Sequence, residues 1–130
     1  LQCAIVLAKL ERFDWEIEQR IELGEAYRSL IIERGADVKL LALKPDRTCV
    51  WGQFTVFSDQ RQALQNKLAN LGIPTAIHYP NPLHIQPAYA KYCCPECCPI
   101  SIQAGKRVIS LPMSPDLGSS YRQVVESLVD

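Results

Sequence analysis

The sequence predicts an α/β fold, an α+β sandwich in which helices cover a small sheet of three to four strands. Two observations predict this class. The first third of the chain carries apolar side chains at a period close to 3.6 residues, which is typical of a long helix. Short runs rich in β-branched and aromatic residues then alternate with further helical segments, in the order helix, strand, strand, helix, strand, helix, strand, helix.

Length and composition narrow the possible functions. The 130 residues fit one domain, and contents of 48% hydrophobic and 22% charged residues are typical of a soluble globular protein. Fourteen basic residues balance fourteen acidic ones, so we expect no nucleic-acid partner. We find no membrane-spanning run and no signal-peptide pattern, and we expect no membrane association. The cysteines form no secreted disulfide framework, so the cytoplasm is the expected location.

The first element is predicted to be one helix from residue 1 to about residue 34, ended by Gly35. At about 1.5 Å per residue it would be about 50 Å long, more than a domain of this size covers with its own core. Part of it is therefore expected to pack against something outside the chain. Leu1 already lies inside the amphipathic pattern, with no capping residue before it. This favours the C-terminal piece of a longer protein over simple processing or tag removal.

The first strands and the second helix follow. Residues 38–43 are predicted to form a strand or an extended loop, and residues 44–47, KPDR, a turn. Residues 49–57 alternate with aromatic and β-branched side chains, which predicts a strand. Ser58 or Asp59 is predicted to cap a helix that ends before Gly72.

The remaining elements are shorter. Residues 73–78 are predicted to form a strand, residues 97–106 a helix and residues 108–111 another strand. Ser119 or Ser120 is predicted to cap the last helix. The residues expected to complete its capping box and apolar stripe are Gln123, Val124, Val125 and Leu128.

Residues 78–89, HYPNPLHIQPAY, are the first candidate for a binding site. They hold both histidines of the chain and three of its nine prolines. Because proline fixes φ, the loop loses less entropy when it holds His84, Tyr79 or Tyr89 against a ligand. Imidazole and phenol groups both hydrogen-bond to carboxylates and phosphates. A structural loop whose histidines bond the backbone explains the same composition, so both interpretations stay open.

Residues 93–98, CCPECC, are the second candidate. Cys94 and Cys97 have C-x-x-C spacing, but zinc sites of four cysteines normally use two such pairs separated by a longer loop. Four thiols within six residues do not easily surround one tetrahedral ion. We therefore expect no metal and favour unremarkable cysteines at a loop-to-helix junction. A metal site and a redox pair are the alternatives, and the roles of Cys93, Cys94, Cys97 and Cys98 stay open.

Catalytic motifs are absent from the sequence. The six glycines form no phosphate-binding loop, and no Ser/His/Asp arrangement can be argued. None of the six lysines lies in an apolar or small-residue context that would lower its pKa for Schiff-base chemistry. We therefore expect ligand contacts in this chain, and no catalytic group.

Four segments of the chain together resemble one family. LQCAIVLAKLERF, DRTCVWGQFTV, GIPTAIHYPNPLHIQPAY and VISLPMSPDL look like the C-terminal part of the DegT/DnrJ/StrS sugar aminotransferases. These are pyridoxal-phosphate (PLP) enzymes of fold type I. The resemblance covers essentially the whole chain, and the motif over residues 72–89 is its most specific part. It implies that residues 1–35 form a long helix linking to a missing large PLP domain, and that residues 36–130 form the small C-terminal domain.

The resemblance also implies a function for the parent protein. It would transfer an amino group, usually from glutamate, to a nucleotide-linked ketosugar in surface polysaccharide biosynthesis, and it would be a homodimer. The lysine that binds pyridoxal 5'-phosphate would lie in the missing large domain. We therefore expect neither bound cofactor nor activity in this chain alone. The alternative is a free-standing, non-enzymatic α/β module that binds a ligand or partner.

Individual residues also match the family. His78 and Tyr79 match its His-Tyr pair at the end of a strand, near the nucleotide-sugar. His84 and Gln86 match the motif that follows. The resemblance thus implies that these four residues bind substrate. The CCPECC segment departs from the family, which usually shows one Cys-Pro at that place.

Overall fold

The computed structural model describes residues 1–129, and these residues confirm the predicted mixture of helices and a small sheet. The helices are α1 (Gln2–Leu10), α2 (Phe13–Arg34), α3 (Arg61–Asn70), α4 (Pro99–Arg107) and α5 (Tyr121–Glu126). The strands are β1 (Lys39–Leu40), β2 (Phe54–Phe57) and β3 (Val108–Leu111), and Leu83–Ile85 and Gly118–Ser120 form 3-10 turns. The described residues divide into two compact units. Residues 1–36, 42–54 and those from 112 onward form the first, and residues 37–41 and 55–111 form the second.

The core of the first unit forms between α2 and α5. The apolar stripe of α2 turns Leu23, Tyr27, Leu30 and Ile31 inward at helical spacing. Burial of these side chains against α5 and the segment before it provides the main stabilisation of this unit. The residues of those other segments that share the core are Trp51, Phe54, Val124, Val125 and Leu128. The predicted stripe of the last helix is therefore confirmed.

Tyr27 lies at the centre of this core with an exposed fraction of 0%. Its ring stacks on Phe54 at a centroid distance of 4.7 Å and meets Tyr121 edge-on at 5.6 Å. Its hydroxyl donates a hydrogen bond to the Pro112 carbonyl oxygen at 3.0 Å. Burial raises the pKa of the Tyr27 hydroxyl above its usual range, because the anion would lose its hydration.

The single helix predicted from residue 1 to about 34 is interrupted at Glu11 and Arg12. The Arg12 backbone leaves helical geometry at φ −106° and ψ 2°, and its N–H bonds to the Lys9 carbonyl three residues back. Its guanidinium lies over the Trp15 ring and pairs with Asp116 at 3.1 Å. α2 then begins and runs to Gly35, whose φ of 62° ends it as predicted. Hydrophobic periodicity continues across the break, so it gave no sign of it.

The strand predicted for residues 49–57 was too long, since only Phe54–Phe57 is a strand. Trp51 has a φ of 48°, which bends the chain out of extended geometry. Its carbonyl accepts a hydrogen bond from the Arg20 guanidinium at 3.3 Å, and its side chain is 3% exposed. Side-chain burial and this polar contact therefore replace strand pairing.

Gly24 makes room for the Trp51 indole, because a Cβ at this position would overlap the ring. We expect Gly24→Ala to lower the free energy of unfolding by about 1–2 kcal/mol. Overpacking costs about 1–3 kcal/mol, which exceeds the gain in helix propensity of about 1 kcal/mol. Gly52→Ala is the matched control, since a Cβ there meets open space, and its effect should stay within about 0.5 kcal/mol. Urea unfolding checks both, and a Gly24→Ala chain as stable as the parent would contradict this packing.

The second unit contains the sheet, in the order β1-β2-β3. β1 and β2 are antiparallel, with Lys39 opposite Phe57 and Leu40 opposite Val56. α3 ends near Gly72, whose φ of 72° turns the chain as predicted. Its apolar side is represented by Leu68, which is fully buried. The predicted turn at residues 44–47, which lies in the first unit, is also present, with a bond from the Arg47 N–H to the Lys44 carbonyl.

The strand predicted for residues 73–78 is reduced to one bridge, in which Ala76 and Ser110 exchange backbone hydrogen bonds of 3.1 and 2.7 Å. Pro74 explains part of this difference, because proline cannot donate to a ladder. The predicted capping box of the last helix is also not formed, since Ser120 makes no side-chain cap bond. Across residues 1–129, every helix falls short of the length and apolar character needed to cross a membrane.

Candidate functional site

A cavity of about 540 Å³ lies in the second unit, beside the proline-rich loop. The loop that follows the Ala76 bridge forms one side, α4 forms another, and the start of β3 closes the floor. The lining residues are His78, Tyr79, Asn81, Pro82, Leu83, Gln86, Ser101, Ala104, Gly105 and Val108. Three of the four residues predicted to bind substrate, His78, Tyr79 and Gln86, are therefore brought together.

His78 is held in place by a chain of hydroxyl groups. Its Nδ1 lies 3.0 Å from the Oγ of Ser110 in β3, and that Oγ lies 2.8 Å from the Oγ1 of Thr55 in β2. Because hydroxyl groups donate and accept, this relay can serve either tautomer of the imidazole. Within the described part of the chain no group bonds to the His78 Nε2, so this nitrogen is the one available to a ligand.

Sequence reasoning missed Ser110 and Thr55. Each is a hydroxyl residue within a short apolar strand, VISL or FTVF. A polar side chain at such a position needs a buried partner, and this signal could have identified the pair. Which residue completes the network depends on tertiary structure, since His78 lies 32 positions from Ser110.

Tyr79 extends the site toward solvent. Its side chain is 69% exposed, and its ring meets the His78 ring edge-on with centroids 5.5 Å apart. The peptide bond between His78 and Tyr79 is cis. The exposed phenol is free to turn toward a ligand that also contacts His78. This pair therefore supplies an imidazole and a phenol at one mouth of the cavity.

Gly105 sets the distance between α4 and the loop. A Cβ on Gly105 would lie 2.8 Å from the Pro80 carbonyl oxygen and 3.3 Å from the Pro82 Cδ. Any side chain here would push the loop away from the helix and reshape the cavity. The Arg61 guanidinium also donates to the Gly105 carbonyl oxygen at 2.6 Å, which ties α3 to this point.

His84 is placed differently from the other three predicted residues. It lies on the Leu83–Ile85 turn, is 9% exposed, and does not line the cavity. Its Nε2 is buried, with no hydrogen-bond partner among residues 1–129. Its imidazole instead lies beside the thiols of Cys97 and Cys98. A direct contact between His84 and a ligand in the cavity is therefore not what this geometry favours.

A pyridoxal-phosphate site requires a lysine, and none of the residues lining the cavity is one. In the described chain the lysines lie at the surface or only half-buried. The residues present therefore do not fit this cofactor. What they fit is a polar ligand that accepts or donates hydrogen bonds at one end and contacts apolar groups along its length.

Residues 1–129 match the sequence profile of the DegT/DnrJ/EryC1/StrS aminotransferase family. One relative, the UDP-2-acetamido-2-deoxy-3-oxo-D-glucuronate aminotransferase of Pseudomonas aeruginosa, is 35% identical over 96% of this chain and 34% of its own length. Another, the dTDP-3-amino-3,6-dideoxy-alpha-D-galactopyranose transaminase of Aneurinibacillus thermoaerophilus, is 37% identical over 100% of this chain and 34% of its own length. The chain thus spans about a third of these relatives.

Solved structures agree with the sequence comparison. A DegT DnrJ EryC1 StrS aminotransferase from Brucella abortus superposes with a TM-score of 0.85 at 31% identity, over 98% of this chain and 34% of that one. S. venezuelae DesV, solved in complex with a ketimine intermediate, gives a TM-score of 0.86 at 31% identity, over 98% and 35%. With the profile match over nearly its whole length, the chain belongs to the DegT/DnrJ/EryC1/StrS aminotransferase family.

Proposed function

We propose that this chain is the C-terminal, sugar-contacting part of a PLP-dependent aminotransferase. The parent enzyme would transfer an amino group from glutamate to a nucleotide-linked ketosugar. The observation that carries the proposal is the cavity in which His78 is fixed by Ser110 and flanked by Tyr79. Family membership supports it, and so do relatives whose names specify UDP- or dTDP-linked sugars.

The cavity residues suit a sugar ligand. A volume of about 540 Å³ falls in the usual range for small-molecule sites, about 300–1,000 Å³. His78 Nε2 and the Tyr79 hydroxyl would bond hydroxyl or diphosphate oxygens, while Val108 and Leu83 contact the apolar face of the ring. Gln86, whose Nε2 lies 3.5 Å from the Asn81 carbonyl oxygen, would brace the loop and offer its amide oxygen.

The reaction needs groups that this chain does not supply. When bound, PLP provides the electron sink for amino transfer. We place its lysine in a further large domain, against which α1 would pack. The side chains of α1 that such a domain would cover are Ile5, Val6, Leu7 and Leu10, each at least half exposed.

We further propose that the parent acts in surface polysaccharide biosynthesis as a cytoplasmic homodimer. The free state of the cysteines suits a reducing compartment. A closed two-fold dimer is the commonest soluble assembly. The location and the assembly state are both open to direct measurement, by fractionation and by light scattering.

The test is an amino-transfer assay with ¹⁵N-glutamate. We expect the full-length protein to produce equal amounts of 2-oxoglutarate and ¹⁵N-amino sugar from a UDP- or dTDP-linked 3-ketosugar, detected by mass spectrometry. The same sugar without its nucleotide is the control and should react poorly, because binding energy from the nucleotide is lost. The chain alone should give no product and no dialysis-resistant absorbance band after incubation with PLP, because no lysine lines its cavity.

Two results would contradict the proposal. One is a PLP-loaded full-length protein that converts neither nucleotide-linked ketosugar. The other is amino transfer by the chain alone. A gene product that consists of this chain and binds a nucleotide-sugar without turnover would favour the non-enzymatic binding module, for which the lack of a lysine in the cavity is the supporting observation.

A further inference from the structure

Three side chains of metal-ligating type converge beside the cavity. His84 lies on the Leu83–Ile85 turn, and Cys97 and Cys98 immediately precede α4. An imidazole nitrogen and the two sulfur atoms all lie within 4.8 Å of one another. His84 is 13 positions from Cys97 in the sequence, so the CCPECC segment gave no hint that a histidine would complete the cluster.

His84 provides the first independent sign of a ligand. Its side chain is more than nine-tenths buried, and its Nε2 has no hydrogen-bond partner among the described residues. Leaving a buried polar nitrogen unpaired costs about 1–3 kcal/mol. Native structures rarely tolerate this cost, and an ion is one of the accepted explanations when they do. The ring therefore requires a partner, and the two thiols are its nearest ligand groups.

The sulfur geometry provides the second sign. The Sγ atoms of Cys97 and Cys98 are 3.8 Å apart. Two sulfurs bound to one tetrahedral zinc ion at about 2.3 Å each would also be separated by about 3.8 Å. A disulfide would require about 2.05 Å. The observed separation therefore fits shared coordination of one ion and does not fit a covalent bond.

We propose that His84, Cys97 and Cys98 bind one Zn²⁺ ion, with water at the fourth position. Two thiols and one imidazole are a donor set that zinc favours. On binding, each thiol releases its proton to solvent and coordinates as a thiolate, and His84 coordinates through a neutral nitrogen. Cys97 now donates its S–H to the Cys94 carbonyl oxygen at 2.9 Å, and this bond would be lost when the thiolate forms.

Such an ion would link two walls of the cavity. The turn that carries His84 also carries Leu83 and precedes Gln86, while α4 contributes Ser101 and Ala104. Zinc would therefore hold the loop against the helix beside His78, and its role would be structural. This proposal does not depend on amino transfer, because it concerns only ligands within the chain.

The experiment measures zinc content and affinity of the full chain purified under reducing conditions without chelator. We expect one zinc per chain by elemental mass spectrometry, and competition with a chromophoric chelator should give a Kd of about 1 µM or tighter. Cobalt substitution should produce a sulfur-to-cobalt charge-transfer band and the visible bands of tetrahedral coordination. Substoichiometric zinc, or cobalt bands without the sulfur signature, would overturn the proposal.

Variants test the assignment residue by residue. Cys97→Ser, Cys98→Ser and His84→Asn should each weaken zinc binding at least about tenfold, since losing even a hydrogen-bond partner of a metal ligand costs about 10–100-fold. Cys94→Ser is the matched control, because it keeps the neighbourhood of the two ligand thiols and should change affinity less than about threefold. Equal affinity in Cys97→Ser and the parent chain would refute the site.

A folding defect is separated from ligand loss by thiol protection. Zinc should slow alkylation of Cys97 and Cys98, whereas Cys3, an exposed thiol on α1, should react at the same rate with and without zinc. Because the two protected cysteines are read in the unmodified chain, this result does not rely on any variant folding. Equal alkylation rates for all three thiols in excess zinc would overturn the proposal.

Discussion

Replacing Tyr27 with alanine should lower the free energy of unfolding by about 3–5 kcal/mol, the range observed when a large aromatic side chain is removed from a core. The ring is fully buried and contacts Phe54 and Tyr121. The substitution leaves a cavity and also removes the donor to the Pro112 carbonyl oxygen. Domains of this kind are stable by about 5–15 kcal/mol, so the loss is a large share of the total.

Tyr27→Phe separates packing from hydrogen bonding. It keeps the ring and removes only the hydroxyl, so we expect a loss of about 1 kcal/mol. Urea unfolding under reducing conditions measures both variants. Tyr92→Ala, at a side chain that is 71% exposed, is the control and should stay within about 0.5 kcal/mol. If Tyr27→Phe costs as much as Tyr27→Ala, the hydroxyl contributes more to stability than ring packing does, and the expectation is wrong.

The direction of the Tyr27 pKa adds an alkaline test to the same pair. Its folded-state pKa is raised by burial above the unfolded value of about 10. The protonated hydroxyl therefore contributes stability that is complete below about pH 10 and is lost as the pH rises through the folded value. Above that pH the parent chain should lose stability more steeply than Tyr27→Phe, which lacks this group.

Much of the fold could be predicted because hydrophobic periodicity controls it. The stripe of α2, the termination at Gly35 and the strand Val108–Leu111 each follow from local pattern. The two strands that were predicted too long failed for tertiary reasons. Trp51 leaves extended geometry to fill the space at Gly24, and Pro74 limits pairing to Ala76.

The candidate site shows the same division. His78, Tyr79 and Gln86 could be predicted because they lie in one short motif, and the structure brings them to one cavity. The groups that hold them in place could not, since Ser110 approaches His78 only through the sheet. His84 was grouped with the motif by sequence, yet its neighbours in space are thiols that follow thirteen or more positions later.

His78→Ala in the full-length protein should lower kcat/KM for the ketosugar half-reaction by about 10–100-fold. A hydrogen bond to a charged or strongly polar ligand group contributes about 1.5–3 kcal/mol, and each 1.4 kcal/mol is tenfold. The ring is anchored at Nδ1 by Ser110, so its Nε2 meets the ligand in a fixed position. The glutamate half-reaction should change less than about twofold, because it removes no contact with the nucleotide-sugar.

Two further variants define what His78 does. Ser110→Ala removes the anchor and keeps the imidazole, so its loss in the ketosugar half-reaction should be smaller, about 3–10-fold. Tyr92→Phe removes a hydroxyl that does not line the cavity and should match the parent in both half-reactions. A Ser110→Ala loss confined to the ketosugar half-reaction would identify Ser110 as a positioning residue.

The most direct measurement of the sugar-contacting role is the ratio of the two single-turnover rates in His78→Ala, followed by the absorbance of the bound cofactor. We expect the ketosugar rate at subsaturating sugar to fall by about 10–100-fold while the glutamate rate holds. An equal fall in both rates would mean that His78 supports folding. An unchanged ketosugar rate would mean that the cavity is not where the sugar binds.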